Sequence, residues 1–262
     1  MNQPDGPEHI SNAIKSDGFI ILHDILDADF VARAKRSLQE AIDQEARYHG
    51  HTGFADYGMV LLCSLYDAVF NELFINESFL APFEAVMGRG CIVYAYTSSS
   101  MPPASTNFSH RIHVDCPRLI PGYVTNMGAT IALDDLTEEN GATYFLPQSH
   151  ELLDTPDPEY FFENAKRFVA PAGSVLFFNA RQWHSGGANH TDRWRHALTV
   201  NMCRPFMKQR IDIPRAMQNA QIDTSTLPDR ALQKLGFHAQ VPASYDEYYV
   251  PPEKRKFRQA AE

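Results

Sequence analysis

The stretch HRIHVDCPRL, residues 110–119, packs two histidines, an aspartate and a cysteine into seven consecutive positions. On an extended chain, side chains at i and i+2 share a face, so His113 and Asp115 set an imidazole beside a carboxylate. That mixed nitrogen and oxygen pair suits a divalent metal of intermediate softness. An H-x-D pair alone is more often just polar surface, so a site needs a third donor. His184, in FFNARQWHSGG, is best placed to supply it. It follows a strongly apolar stretch and precedes two glycines, which let backbone crowd close to a site. Two histidines and one carboxylate, with metal positions left open, form the facial ligand set of non-haem Fe(II) oxygenases.

Residues 182–187 and 194–204 read as two strands joined by ANHTDR. A symmetric hairpin centred between Asn189 and His190 pairs His184 with Arg195. Directly opposed residues share a face, with Cβ atoms roughly 4.5–5.5 Å apart. Arg195 is therefore expected beside His184, in that register alone, since a one-residue slip turns it outward. A guanidinium binds a carboxylate in bidentate fashion and keeps its charge. Buried in a barrel, it needs an anion, and an incoming dicarboxylate such as 2-oxoglutarate supplies one. The other histidines read differently. His110 is expected on the face opposite His113, His196 outside the site, His150 organising its loop and His190 in a turn. Cys116, next to Pro117, is expected as a small buried or lining residue. Tyr94 and Tyr96 are expected on one face of their strand, as core.

These residues need a frame. Residues 8–16 predict a short helix and GFIILHD a strand. From Asp27, a fair N-cap, the apolar positions 30, 31, 34, 38, 41 and 42 mark one helix face that stops near Gly50. HGHTGFADYG reads as a loop and residues 60–88 as mainly helical, ending at Gly88. From Gly90 the chain turns β-rich: CIVYAYTSSS, RIHVDC, YVTNMGATIALDDL, ATYFLP, RFVAP, SVLFFNA, QWHSGG and WRHALTVNMCRPF are short, bounded by Gly, Pro, Asn or Asp, and seldom separated by a crossover helix. That argues for an antiparallel sandwich or barrel. The expectation is mainly β with flanking α-helices, in a single domain over 1–262. Its parts are N-terminal helices (about 8–88), a β core (about 90–206) and a helical or irregular segment (207–262).

The 262 residues can bury roughly 70% or more of the unfolded chain's surface, so neither disulfide nor structural metal is required for folding. Net charge is −9 with no dense Lys/Arg cluster, which argues against a nucleic-acid or anionic-membrane partner. PEKRKFRQ reads as a solvated tail. The four cysteines have no thiolate-zinc spacing and read as reduced thiols of a cytoplasmic protein. No signal peptide or membrane span is expected.

With HVD, ALDDLTEENGATYFLPQSHE, PAGSVLFFNARQWHSGGANHT and WRHALTVNMCRP in view, and more loosely IKSDGFIILHDIL, the chain resembles the phytanoyl-CoA dioxygenase family of Fe(II)/2-oxoglutarate-dependent oxygenases over residues 11 to about 206. The resemblance implies a double-stranded β-helix (jelly-roll, cupin-like) core. It implies His113, Asp115 and His184 as iron ligands, Arg195 on the distal carboxylate of 2-oxoglutarate, and O2 as oxidant. The family often has tryptophan at Ile112, glycine at Gln148, and at Gly186 a serine that helps hold the co-substrate. Thr130 is the substitute hydroxyl here, and Asn126, four residues earlier on the same face, is expected to reach iron or co-substrate. The implied reaction is oxidation of an unactivated C–H bond, hydroxylation first, of a small natural-product-type molecule with release of succinate and CO2. A carboxylate at 115 favours oxygenation over halogenation. Substrate loops are expected from 48–60 (Tyr48, Phe54, Tyr57), 100–112 (Arg111), 116–123 (Arg118) and 150–166 (Phe161, Phe162), with ASYDEYYVPP closing over them. The alternatives are a metal-dependent cupin-like isomerase or hydrolase, against which Arg195 argues, and a catalytically silent β-barrel binding module.

Overall fold

The computed structural model describes residues 6–49 and 57–255; Gly50, Phe54 and the end of the basic tail lie outside them. Helix α1 (Pro7–Ser16) begins on a proline, buries Ile10 and Ile14, and leads into strand β1 (Phe19–Leu22). Asp27 caps α2 (Ala28–His49), its Oδ1 accepting the Phe30 N–H at 2.8 Å. The 60–88 segment is less regular than its apolar content predicts. Two 3₁₀ stretches, Cys63–Leu65 and Ala68–Ile75, precede α3 (Glu77–Met87).

Seven further strands follow: β2 (Ile92–Ser98), β3 (Asn126–Ala132), β4 (Tyr144–Phe145), β5 (Lys166–Arg167), β6 (Val175–Asn179), β7 (His184–Ser185) and β8 (Ala197–Cys203). Helix α4 (Pro158–Asn164) intervenes, and α5 (Ile213–Asn219), α6 (Asp229–Lys234) and α7 (Tyr245–Tyr248) follow β8. The strands form two sheets, ordered β1-β6-β3-β8-β2 and β5-β4-β7, with every named pair antiparallel. The architecture is mixed α and β built on antiparallel sheets. Segment 111–116, read as a strand, is an irregular stretch held to β7 by the isolated bridge His113↔His184. No helix among the described residues is long and apolar enough to cross a membrane. All four cysteines are buried free thiols.

Side-chain alternation divides the larger sheet. Val93, Tyr96, Met127, Ala129, Ile131, Val175, Phe177, Leu198, Val200 and Met202 join the helices in one core. The Phe177 ring lies 5.9 Å from Phe79 and 5.3 Å from Phe83 of α3. Burying each such ring contributes on the order of 2 kcal/mol. The opposite face carries Leu176 and Phe178 into a second apolar cluster with Phe145, and beyond it the polar residues that line a cavity.

Candidate metal centre

Paired registers put the cavity's polar residues in rows. Ala95, Asn201 and Gly128 are directly opposed across β2, β8 and β3, and Thr97, Thr199 and Thr130 form the next row. A Cβ on Gly128 would collide with the Phe178 ring, so glycine there lets that ring lean into the cavity. Phe178 in turn lies 5.1 Å from the His184 ring.

His113 and His184 exchange two backbone hydrogen bonds, each 2.9 Å, and their rings are 4.2 Å apart. The Asp115 and Cys116 N–H groups both donate to Ala180 O at 2.9 Å, turning the Asp115 carboxylate toward the imidazoles. Asp115 Oδ1 is 3.7 Å from His113 Nε2 and 3.8 Å from His184 Nε2. One donor atom from each of the three residues lies within 4.8 Å of the others. The tautomers follow from the outer bonds. His113 Nδ1 lies 2.8 Å from Arg111 O, and His184 Nδ1 lies 2.8 Å from Gln182 O. A carbonyl only accepts, so each Nδ1 carries the proton and each Nε2 presents its lone pair inward. Burial, then the neighbouring His184, pushes the His113 pKa down to about 4, which keeps its imidazole neutral at pH 7. Two imidazole nitrogens and one carboxylate oxygen with fixed outer partners fit a divalent transition metal.

Asp115 Oδ2 accepts from Asn201 Nδ2 at 3.3 Å, and Asn201 Oδ1 accepts from Asn126 Nδ2 at 3.2 Å. Asn126 therefore does not line the cavity of the triad. It is 2% exposed and is linked to Asp115 only through the Asn201 amide. Asn201, Thr97 and Thr199 were not singled out in the sequence. The signal for two of them was there: Thr199 and Asn201 are polar residues at i and i+2 in the otherwise apolar ALTVNMC.

Arg195 lines the same cavity and is 2% exposed. Its Nη1 donates to Ser99 O at 2.9 Å and its Nη2 to Gly141 O at 3.0 Å, the carbonyl of the Asn140-Gly141 turn. Burial lowers its pKa to about 10, so it stays charged at neutral pH. Among the described residues no carboxylate pairs with it, which leaves a buried cation facing a cavity. The expected hairpin pairing of His184 with Arg195 is absent. His184 pairs with Phe145 and His113 in the small sheet, while Arg195 bridges Met101 beside the large one. The two side chains line the same cavity from different backbone segments. Thr130 lines it too, from the β3 end of the threonine row.

Other expectations shift. A bulge between Val93 and Ala95 turns Tyr94 into the cavity, whereas Tyr96 is buried in the helix-side core with its hydroxyl donating to Phe70 O at 3.0 Å. His196 faces away from Arg195 but is buried, stacked on Trp194 and 3.1 Å from Ser100 Oγ. His110 is exposed, its Nδ1 3.0 Å from Gly186 O. His150 Nε2 donates to Lys15 O, tying its loop to α1. Segments 116–123 and 150–166 add nothing to the lining of the triad's cavity. Cys116 and Arg118 line a separate one, and Phe161 is buried. Residues 243–252 do not line it either. Met59, Ser109 and the unforeseen Arg210 do.

Residues 14–197 match the family model for phytanoyl-CoA dioxygenase (PhyH). The chain belongs to the phytanoyl-CoA dioxygenase family. Within it, the match spans β1 to the start of β8 and contains His113, Asp115, His184 and Arg195. The uncharacterized protein Rv1501 of Mycobacterium tuberculosis is 30% identical over 96% of this chain and 94% of its own length. Dioxygenase cdmA of Talaromyces verruculosus is 25% identical over 80% of this chain and 78% of its own. Among solved structures, the epimerase SnoN in complex with Fe3+, alpha ketoglutarate and nogalamycin RO aligns with a TM-score of 0.59. It is 20% identical, with 87% of this chain and 94% of SnoN covered, a likeness of fold.

Proposed function

We propose that this chain is a non-haem Fe(II)- and 2-oxoglutarate-dependent dioxygenase that hydroxylates an unactivated C–H bond of a small, natural-product-type molecule. The reaction is R–H + O2 + 2-oxoglutarate → R–OH + succinate + CO2. The observation that carries the reading is the convergence of two Nε2 lone pairs and Asp115 Oδ1 in a cavity that also holds Arg195, a buried cation with no carboxylate partner among the described residues. We read the two sheets as the two halves of a double-stranded β-helix, which fits the SnoN likeness.

His113, Asp115 and His184 would hold the iron. Bound there, iron supplies the one-electron and dioxygen chemistry that couples decarboxylation of 2-oxoglutarate to C–H oxidation. The protein's part is charge and position. A divalent ion, one carboxylate and one guanidinium sum to +2, which matches the dianionic co-substrate. Arg195 takes the distal carboxylate, and the Thr97–Thr199–Thr130 row lies between it and the triad to offer hydroxyl donors. Thr130 is the hydroxyl we assign beside Arg195, since Gly186 has none. Asn201 donates to Asp115 Oδ2, so the carboxylate would offer a metal its other oxygen, Oδ1. The Phe178 ring covers one side of His184 and keeps water from it. SnoN's bound Fe3+, alpha ketoglutarate and nogalamycin compound support the same cofactors and a natural-product substrate here.

The test is conversion of 2-oxoglutarate to succinate by the purified chain. Turnover that requires both Fe(II) and O2, and that Asp115→Ala abolishes, is the expected result. Succinate formation indifferent to Asp115→Ala would refute the reading.

A further inference from the structure

We propose that Arg210 anchors an anionic group of the substrate, so that the enzyme acts on a small carboxylic acid; this rests on the oxygenase reading above. The cavity has a direction that the strand registers define. At one end the Arg195 guanidinium sits on Ser99 O. Next comes the threonine row, opposite Thr97. Then comes the row of Ala95 and Asn201, whose amide holds Asp115. Ser99 to Ala95 is four residues, roughly 13 Å at a strand rise of about 3.3 Å. Beyond the triad, on the side away from Arg195, the wall is Tyr94 and Arg210.

Arg210 is an exposed residue that lines this cavity, so it stands at the open end. Its place is set by backbone. The Arg210 N–H donates to Tyr94 O at 3.0 Å, and Gln209 Nε2 donates to Val93 O at 2.7 Å, clipping the segment to the edge strand β2. Its guanidinium has no carboxylate or hydrogen-bond partner among the described residues, although the chain as a whole is acidic. Tyr94, placed in the cavity by the β2 bulge, brings a phenol to the same lining, while Met59 and Phe178 add apolar wall. An anionic head with an apolar body matches that sequence of surfaces. The carboxylate meets Arg210 at the mouth, and a carbon a few bonds away reaches the triad. The co-substrate keeps the Arg195 end, so the two arginines serve two different acids.

The experiment uses the full chain as wild type, Arg210→Gln and Arg210→Lys. Each is titrated anaerobically with Fe(II) and 2-oxoglutarate. Each is then assayed for stimulated succinate formation with small aliphatic, aromatic and hydroxylated carboxylic acids, each paired with its primary carboxamide. The visible 2-oxoglutarate band is expected in all three proteins. In wild type, acids are expected to stimulate at least about tenfold more than their amides, the worth of a charged hydrogen-bonded pair. That preference is expected to vanish in Arg210→Gln and to survive in part in Arg210→Lys. Equal stimulation by amides, no stimulation by any acid, or a preference that persists in Arg210→Gln would overturn the proposal. A band that fades in Arg210→Gln would put the arginine on the co-substrate and overturn it as well. A wild type with no band at all would instead remove the oxygenase reading, a failure the band separates from that of the arginine.

Discussion

The two faces of the five-stranded sheet grow from the same strands and have opposite chemistry. The helix side of β3, β6 and β8 is continuous hydrocarbon: Met127, Ala129 and Ile131; Val175 and Phe177; Leu198, Val200 and Met202. The cavity side of the same strands carries Thr130, Thr199 and Asn201, with Gly128 making room for Phe178. Polar groups out of water cost free energy unless they are paired. One face therefore holds the fold together, and the other gives up burial to keep donors and a cation ready for a ligand. Period-2 alternation is what lets seven residues of β8 do both.

This contrast can be broken from either side, with four expected outcomes of falling size. Asp115→Ala should destroy Fe(II) affinity by more than the ~10–100-fold that outer-shell changes cost, while leaving the apoprotein's unfolding midpoint in urea unchanged. A large stability loss in that variant would mean that the cavity face carries the fold as well. Phe177→Ala, on the other face, should lower unfolding free energy by about 3–5 kcal/mol and leave the metal affinity of the folded fraction intact. Asn201→Ala should weaken Fe(II) binding ~10–100-fold, because Asp115 Oδ2 loses its donor, with a stability change of no more than about 1–2 kcal/mol. Unaltered affinity would show that the asparagine relay does not position the carboxylate.

The smallest effect concerns pH. Burial pushes the His196 pKa down to about 4, below the ordinary value of 6.5. Between those values the unfolded chain binds more protons than the folded one, so stability is complete above pH 6.5 and is lost as pH falls toward 4. His196→Gln should flatten that decline in apoprotein urea midpoints. An unchanged slope would assign the decline to other groups.

Local pattern carried the parts of the site that are close in sequence. The H-x-D spacing put His113 and Asp115 together even though their segment is an isolated bridge instead of a regular strand. His184 was legible from its apolar approach and following glycines. Pairings between distant segments were not legible. Symmetry of ANHTDR suggested a hairpin from His184 to Arg195, but His184 pairs with Phe145 in the small sheet and with His113 in an isolated bridge, and Arg195 bridges Met101. A hairpin rule sees only the turn, whereas register here is set by partners 39 to 94 residues away, from Phe145 to His184 and from Met101 to Arg195. Tyr94 was misjudged because a bulge breaks the alternation that the strand pattern assumes. Asn126 was on the right face, but Asn201 comes between it and Asp115. Arg210 has no sequence signal, since only the backbone clip to β2 brings it to the cavity.

The most direct measurement is anaerobic absorption spectroscopy of the apoprotein with Fe(II), before and after 2-oxoglutarate is added. A weak visible charge-transfer band that appears with 2-oxoglutarate, is lost in Asp115→Ala and is weakened in Arg195→Ala would tie metal, co-substrate and cavity together. Iron binding without a band, or a band untouched by either substitution, would contradict the account.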